Sequence, residues 1–340
     1  MKTHFAMPKR TLALLSCLLC LFSSPSTLPA GEEEEASLTY SIPGGTSYLG
    51  IPLLRPAAMQ GQINSVSSSD RLKVTLSEHM PLAATSRYFL EITSAPHDPT
   101  LEGERWNLWV SGASVTFPQA EIHLRLDHAG NTRSDLPANL VNCLFSVHPH
   151  WTLSSVLGGG SSPSQLQARR LISSADRVTL ERGGVASTYF LEQASGHPHG
   201  RWRHTRGISS DPSIDPGHGL ILERKGGLLR LTLTGEVRRH LLRRPLSAGL
   251  NLISLPSLKA STIRDLQLTA LQGWRPEDQL TLWRGSSPRR YRWQSGTDQW
   301  VGLDSVLGTD PELAPLLQPT AAVLLKKAAA DPDFALRPVP

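Results

Sequence analysis

Cysteine is nearly absent from this chain, with three in 340 residues. Cys17 and Cys20 fall in the first 30 residues, which leaves Cys143 alone, so no internal disulfide framework organises the fold. Charge is sparse as well: Asp, Glu, Lys and Arg make up 19%, against roughly 25% in an average soluble domain. The longest apolar run, Thr11 to Phe22, is twelve residues. A bilayer span needs about 20, which excludes a polytopic membrane protein. Four catalytic signatures are also missing: G-x-S-x-G, H-E-x-x-H, G-x-x-x-x-G-K-[ST], and a helix-opening G-x-G-x-x-G. What is plentiful is Gly (27) and Pro (26), which favours short elements joined by turns. With 39% hydrophobic residues, the chain is neither wholly disordered nor a coiled coil. Its length predicts two domains, or three small ones.

Residues 1–30 have the form of a secretory signal peptide. Lys2, His4, Lys9 and Arg10 make a basic start, Thr11 to Phe22 the apolar stretch, and Ala30 the last residue before cleavage. Leu28 at the −3 position departs from A-x-A. A lipoprotein alternative through Leu14-Leu15-Ser16-Cys17 leaves too few apolar residues before Cys17. Cleavage removes three of the 34 basic residues and none of the 29 acidic ones, so the net charge falls from +5 to +2. A strongly basic partner surface is therefore not implied. Glu32 to Glu35 are expected to be a solvated tail.

Period-two alternation dominates the remainder of the chain. It appears at Leu72–Leu76, Tyr88–Ile92, Trp106–Val110, Glu121–Leu126, Arg177–Leu180, Leu229–Leu233 and Gln279–Trp283, each bounded by turn residues. Thr262 to Leu271 is the best helix candidate, with weaker ones at Ser164–Ser173 and Glu312–Leu317. Gly158-Gly159-Gly160 marks a flexible connection. The expected fold is mainly β: a barrel- or sandwich-like N-terminal domain over 31–145, then tandem related β units over 146–240 and 241–335.

The two units rest on self-similarity near 100 residues. Asp176 and Asp278 are 102 apart, as are Tyr189 and Tyr291. Trp202 and Trp300 are 98 apart, Asp211 and Asp310 are 99 apart, and Pro216 and Pro319 are 103 apart. Gly219–Lys225 matches Thr320–Lys326 in pattern. The same order with small indels predicts a duplicated β unit. Ala248–Pro256 heads the second unit, and Leu144–Pro149 with Trp151–Leu153 heads the first. Thr46–Pro52 is a third such opening, feeding the N-terminal domain. In each, an apolar strand runs into a proline, which cannot donate to a ladder.

Gly249-Leu-Asn-Leu-Ile-Ser-Leu-Pro256 resembles the G-x-N-L-I-S-x-P strand of exported bacterial surface proteins. There it precedes an Asp-led strand, a Tyr, a Trp and a Pro-Gly-x-Gly strand. Asp176, Tyr189, Trp202 and Pro216-Gly217-His218-Gly219 fill those places here. The stretches Tyr48–Ala58, Arg87–Trp106 and Pro149–Leu153, with both units, resemble an uncharacterised paralogous family of exported proteins from Verrucomicrobia and related bacteria. The resemblance implies export and a β-fold and carries no mechanism. Gln318-Pro319-Thr320-Ala321 departs from the pattern, so the second unit's last turn is expected to differ.

Chemistry-bearing groups each have a plainer alternative. Cys143 lies in an apolar strand, where a thiolate is disfavoured. His148-Pro-His150 and His197-Pro-His199 place imidazoles two residues apart, as a zinc site uses, and His204 could add a ligand. Nothing in the sequence brings the pairs together. Asp176 with Asp278, or Glu102 with Glu104, could supply glycosidase carboxylates, although Asp at a strand start commonly caps a turn. Asp127, Asn131 and Asp135 fit no calcium loop, and a hairpin turn over Leu126–Leu136 is simpler. Trp202 and Trp300 read as core, whereas Trp293, beside Arg289-Arg290-Tyr291-Arg292, reads as an exposed stacking platform with Tyr291. The basic pairs Arg169-Arg170, Arg238-Arg239, Arg243-Arg244 and Arg289-Arg290 do not suggest a nucleic-acid reader, and a solvated linker accounts for 238–244.

The sequence thus predicts an exported, non-catalytic surface, structural or binding protein, with no catalytic, cofactor or metal residues assigned. Its expected partners are cell-surface polysaccharide or other surface proteins, not nucleic acid, with no integral membrane segment after cleavage. The alternative is a secreted carbohydrate-binding protein or glycoside-processing hydrolase.

Overall fold

The computed structural model describes residues 35–79, 81–83, 86–109, 114–160, 163–208, 210–263, 268, 273–284, 287–297, 299–303 and 320–338. The leader, Glu32 to Glu34, most of the 262–271 helix candidate, the 312–317 candidate, Asp310 and Pro319 lie outside them. The chain is mainly β. Among the described residues no helix is long and apolar enough to cross a membrane.

The chain opens with β1 (Glu35–Ile42), β2 (Gly45–Leu49) and β3 (Leu53–Leu54). Next come β4 (Met59–Ser68), β5 (Arg71–His79), β6 (Tyr88–Ser94), β7 (Arg105–Leu108), β8 (Ser114–Thr116), β9 (Gln119–Arg125) and β10 (Leu144–Pro149). These run antiparallel in the order β5-β4-β10-β6-β7-β9, and β9 pairs back onto β5. The result is a six-stranded barrel with β8 attached to β9. Alternation drives it. In β9, Ala120, Ile122 and Leu124 point into the core, and Glu121, His123 and Arg125 are only half-buried. Ile63, Leu72, Val74, Leu90, Ile92, Trp106 and Val147 complete a filled interior, the packing expected of a small barrel.

Then come β11 (Trp151–Thr152), α1 (Leu153–Leu157), β12 (Arg177–Arg182), β13 (Val185–Ala194), β14 (His197–His204), β15 (Ser213–Ile214), β16 (Leu220–Arg224) and β17 (Leu229–Val237). The last stretch holds β18 (Leu242–Arg243), β19 (Gly249–Ser254), β20 (Gln279–Arg284), β21 (Ser287–Gln294), β22 (Gln299–Gly302), β23 (Ala322–Lys327) and β24 (Ala335–Leu336). Two five-stranded sheets result, β14-β13-β12-β16-β2 and β22-β21-β20-β23-β19.

Strand for strand, these two orders correspond. Leu220 faces Leu49 in one sheet and Val323 faces Ile253 in the other. Val178 faces Leu222, and Leu280 faces Leu325. This register makes β2 the counterpart of β19, 204 residues on. Both begin at a glycine of positive φ, +93° at Gly45 and +96° at Gly249, a conformation that penalises any Cβ. Both run on to a proline, Pro52 or Pro256.

The division at 145/146 therefore needs correcting. Leu144–Pro149 is a barrel strand between β4 and β6. The opening strand of the middle unit is β2, and β1 pairs with β17 over its whole length. The barrel, about 55–150, is inserted into the middle unit. The last strand pair also shifts: Gly219 corresponds to Ala322, not Thr320, because the backbone N–H groups capping the two aspartates come from Lys225 and Ala328.

Ser164–Ser173 forms no helix. Leu166 is buried in the middle core, and Arg169 exchanges backbone hydrogen bonds with Leu191 and Gln193. The helix that does form, α1, starts at Thr152, whose Oγ1 accepts from Ser155 N while Ser155 Oγ accepts from Thr152 N. That reciprocal cap suffices for one short turn. Residues 126–136 contain no hairpin strands: Asn131 accepts from Asn107 N and donates to Arg125 O, holding the segment as a loop against β7.

Candidate functional site

The densest chemistry lies where the cores meet, and the chain from Arg238 to Arg244 runs through it. Arg238 Nη1 donates to Glu91 Oε1 on β6 at 2.5 Å. His240 Nε2 lies 2.9 Å from Glu91 Oε2, and Arg105 Nη1 lies 3.8 Å from Oε1. Arg244 Nη2 donates to Glu181 Oε2 at 2.6 Å, and its Nη1 donates to the carbonyls of Gly217 and Leu252. One side chain thus holds β12, the 215–219 turn and β19.

A second carboxylate, Asp215, sits beside Arg182 Nε at 2.8 Å and His150 Nδ1 at 3.5 Å. His150 Nε2 pairs with Asn107 Oδ1 at 2.7 Å. His148 Nδ1 meets Arg55 O, and its Nε2 meets Ser146 Oγ, both at 2.7 Å. Glu236 accepts from Ala57 N at 2.7 Å. Glu91, Arg105, His148, His150, Asp215, Arg238 and Arg244 are all buried.

Burial and charge set the protonation states. Burial pushes the Glu91 carboxyl up, but Arg238, His240 and Arg105 together outweigh it and hold the group well below the usual carboxylate range. Asp215 is likewise raised by burial and pulled below its ordinary range by opposing charge, Arg182 first and Arg105 further off. Burial lowers His148 and His150 to about 4 and His218 to about 3. Burial also lowers Arg244, to about 10, against the opposing charge of Glu181. At neutral pH the imidazoles of His148, His150 and His218 are uncharged, and Glu91 and Asp215 face arginines. Set in this way, the charges tie the three cores together.

The sequence candidates fall in several places. Asp176 and Asp278 are buried, each within its own sheet. Asp176 accepts from Gln167 N and Lys225 N, and Asp278 from Arg275 N, Ala328 N and Lys327 Nζ. Glu102 and Glu104 grip the linker: Leu241 N donates to Glu102 Oε1, and Arg243 Nε donates to the Glu102 carbonyl. Asp127, Asn131 and Asp135 are not gathered round a cation, since Asn131 is bonded to backbone and Asp135 pairs with Arg133. His148 and His150 belong to the junction, whereas His197 and His199 lie at the start of β14. Burial raises the Cys143 thiol, which approaches Asn139 O at 3.8 Å.

The stacking platform is overturned. Trp293 is 3% exposed and Tyr291 is 9% exposed. Both face the C-terminal core, where Trp293, Trp300 and Trp274 pack edge-on or tilted. Their neighbours on β21, Arg290 and Arg292, take the outer face. Trp202 and Trp300 are core residues that donate Nε1–H to Gly158 O and Leu268 O, each at 2.9 Å.

The solvated linker is overturned too, since Arg238 and Arg244 are buried. The residue types of Arg238-Arg-His-Leu-Leu-Arg-Arg244 do not alternate and gave no signal, although Arg238, Leu242 and Arg244 are buried and Arg239 is exposed. Compared with protein-family models, curated proteins and solved structures, the chain finds no match.

Proposed function

We propose that this is an exported, non-catalytic surface or binding protein, carrying a signal peptide over 1–30 and built on a duplicated β unit that the barrel interrupts. The observation that carries the reading is the junction. Its carboxylates and imidazoles are enclosed and paired, so the residues best suited to acid–base work serve as a clamp. Support for the duplication comes from matching sheet orders, from Asp176 and Asp278 accepting equivalent backbone N–H groups, and from Trp202 and Trp300 making equivalent indole bonds. The resemblance to exported Verrucomicrobia proteins supports the destination.

The test is export of the full chain from a bacterial host, with N-terminal sequencing and an assay of the exported protein against a panel of polysaccharides. Recovery outside the cytoplasm, starting near Gly31, with polysaccharide retained and not cut, is the expected result. An uncleaved cytoplasmic product, or glycan hydrolysis abolished by one carboxylate substitution, overturns the reading.

A further inference from the structure

The two corresponding sheets differ most on their outer faces. In the middle sheet that face is charge-neutralised. Arg177 pairs with Glu223, and Glu192 pairs with both Arg201 and Arg203. At the corresponding positions of the C-terminal sheet, Glu223 is replaced by Lys326 and Glu192 by Gln294. Phe190 becomes Arg292, and Arg177 becomes Gln279. The register places Lys326 beside Gln279, Gln279 beside Arg292 and Arg292 beside Val301. Lys326 and Arg292 are exposed. The described strand residues on this face include no Asp or Glu: the ion pairs of the middle sheet are gone on both sides, with Gln279, Gln299 and Val301 where it has Arg177, Arg201 and Arg203, and the cations Arg292 and Lys326 stand instead at the places of Phe190 and Glu223.

Exposed apolar residues frame the cations: Leu250 at 54%, and Val301 and Leu303 at 41% each. Beside Arg292 lies a cleft of about 390 Å³ lined by Gln294, Ser295, Val301 and Leu303, with Pro276 and the nearly buried Trp293 at its wall. It combines amide, hydroxyl and aliphatic walls with one guanidinium. Lys326 and Arg292 stand two strands apart, about 9–10 Å by the strand spacing. That interval suits acidic groups borne once per disaccharide.

We propose that the outer face of the C-terminal sheet, centred on Arg292 and Lys326, is a docking surface for an acidic polysaccharide. This rests on the reading of the chain as an exported binding protein and names the ligand class. Charge complementarity selects a polyanion. The cleft's hydroxyl and amide groups select a sugar over a lipid. Burial of Trp293 and Trp300 removes the aromatic faces on which single-stranded nucleic acid stacks.

The experiment uses the exported full chain and alginate, heparin, dextran, single-stranded DNA and phosphatidylserine vesicles as probes. Binding to alginate or heparin, weakened by salt, with dextran unbound, is expected; binding to alginate shows that carboxylates suffice, and binding to heparin alone shows that sulfate is required. Arg292→Glu with Lys326→Glu should weaken glycan binding by about tenfold or more. The charge-matched control Lys73→Glu with Arg230→Glu, on other exposed faces, should leave it within about twofold. If the glutamate pair fails to fold, Arg292→Gln with Lys326→Gln takes its place. Equal loss in the control, or DNA or vesicle binding without glycan binding, overturns the docking surface. Failure of export overturns the function reading instead, so the two failures are distinguishable.

Discussion

Arg238 reaches across 147 residues of sequence to donate to Glu91 at 2.5 Å, with both side chains buried. Together with the bonds of Leu241 and Arg243 to Glu102, this contact ties the barrel to the linker that leads into the C-terminal unit. Removing one partner of a buried pair strands the other charge, at a cost of about 3–5 kcal/mol. Glu91→Ala and Arg238→Ala should each lower stability on that scale in urea titrations. Glu91→Leu with Arg238→Met should cost less than the sum of the two single changes, because the two opposite charges leave together and only Arg105 still faces the vacated site. A double variant as unstable as the sum of the singles would remove the pair from its role.

The buried imidazoles predict acid sensitivity. His148 and His150 stand at about 4 and His218 at about 3 in the folded protein, below the ~6.5 of an unfolded histidine. The unfolded chain therefore binds more protons between those values, and stability falls with pH across that window. Loss begins as pH drops through about 6.5 and levels off below the folded values. The depressed carboxyls of Glu91 and Asp215 extend the loss at the acid end. Urea midpoints should fall steadily from pH 7 to pH 4, and His148→Gln with His150→Gln should flatten that slope. An unchanged slope in the double variant would show that these imidazoles are not the sensors.

Strand alternation made the β-class readable from the sequence, and the spaced Asp, Tyr and Trp pointed to two corresponding units, though not to their five-stranded sheets. Connectivity was not readable. Leu144–Pro149 and Thr46–Pro52 carry the same apolar-then-proline pattern, and local pattern cannot say which one pairs with β16. That choice is tertiary: β2 has a positive-φ glycine at its head, as β19 does, whereas β10 fills a gap in the barrel wall between β4 and β6. The junction was hidden for a related reason. Arginine is normally exposed, and only the pairing of Arg238 with Glu91 and of Arg244 with Glu181 makes its burial tolerable. Trp293 was misjudged from Arg290 and Arg292, which lie on the opposite face of the same strand.

Trp293 should consequently behave as a core residue. Trp293→Ala should cost about 3–5 kcal/mol, the usual penalty for truncating a buried aromatic. Near-ultraviolet circular dichroism should lose the signal of the Trp274, Trp293 and Trp300 cluster. A variant with wild-type stability and selectively lost glycan binding would restore the stacking role.

The contact between the two sheets supplies the last test. Gly50 N donates to Thr320 O at 3.0 Å, and Ser254 N donates to Gly217 O at 2.9 Å. In the sheet register Gly50 corresponds to Ser254 and Thr320 to Gly217, so each unit offers the other the same bond, as an isologous interface does. Gly219 lies at its centre: a Cβ there would sit 2.5 Å from Ala322 Cβ and 2.9 Å from Leu252 Cγ. Those neighbours are held by strands and have little room to give. Gly219→Ala should destabilise by about 1–3 kcal/mol through overpacking, and Gly219→Val should do so more strongly. Gly227, whose Cβ would meet nothing within 4 Å, provides the control, and Gly227→Ala should leave the urea midpoint nearly unchanged. Equal midpoints for the Gly219 and Gly227 variants would mean that the two sheets do not approach as closely as this interface requires.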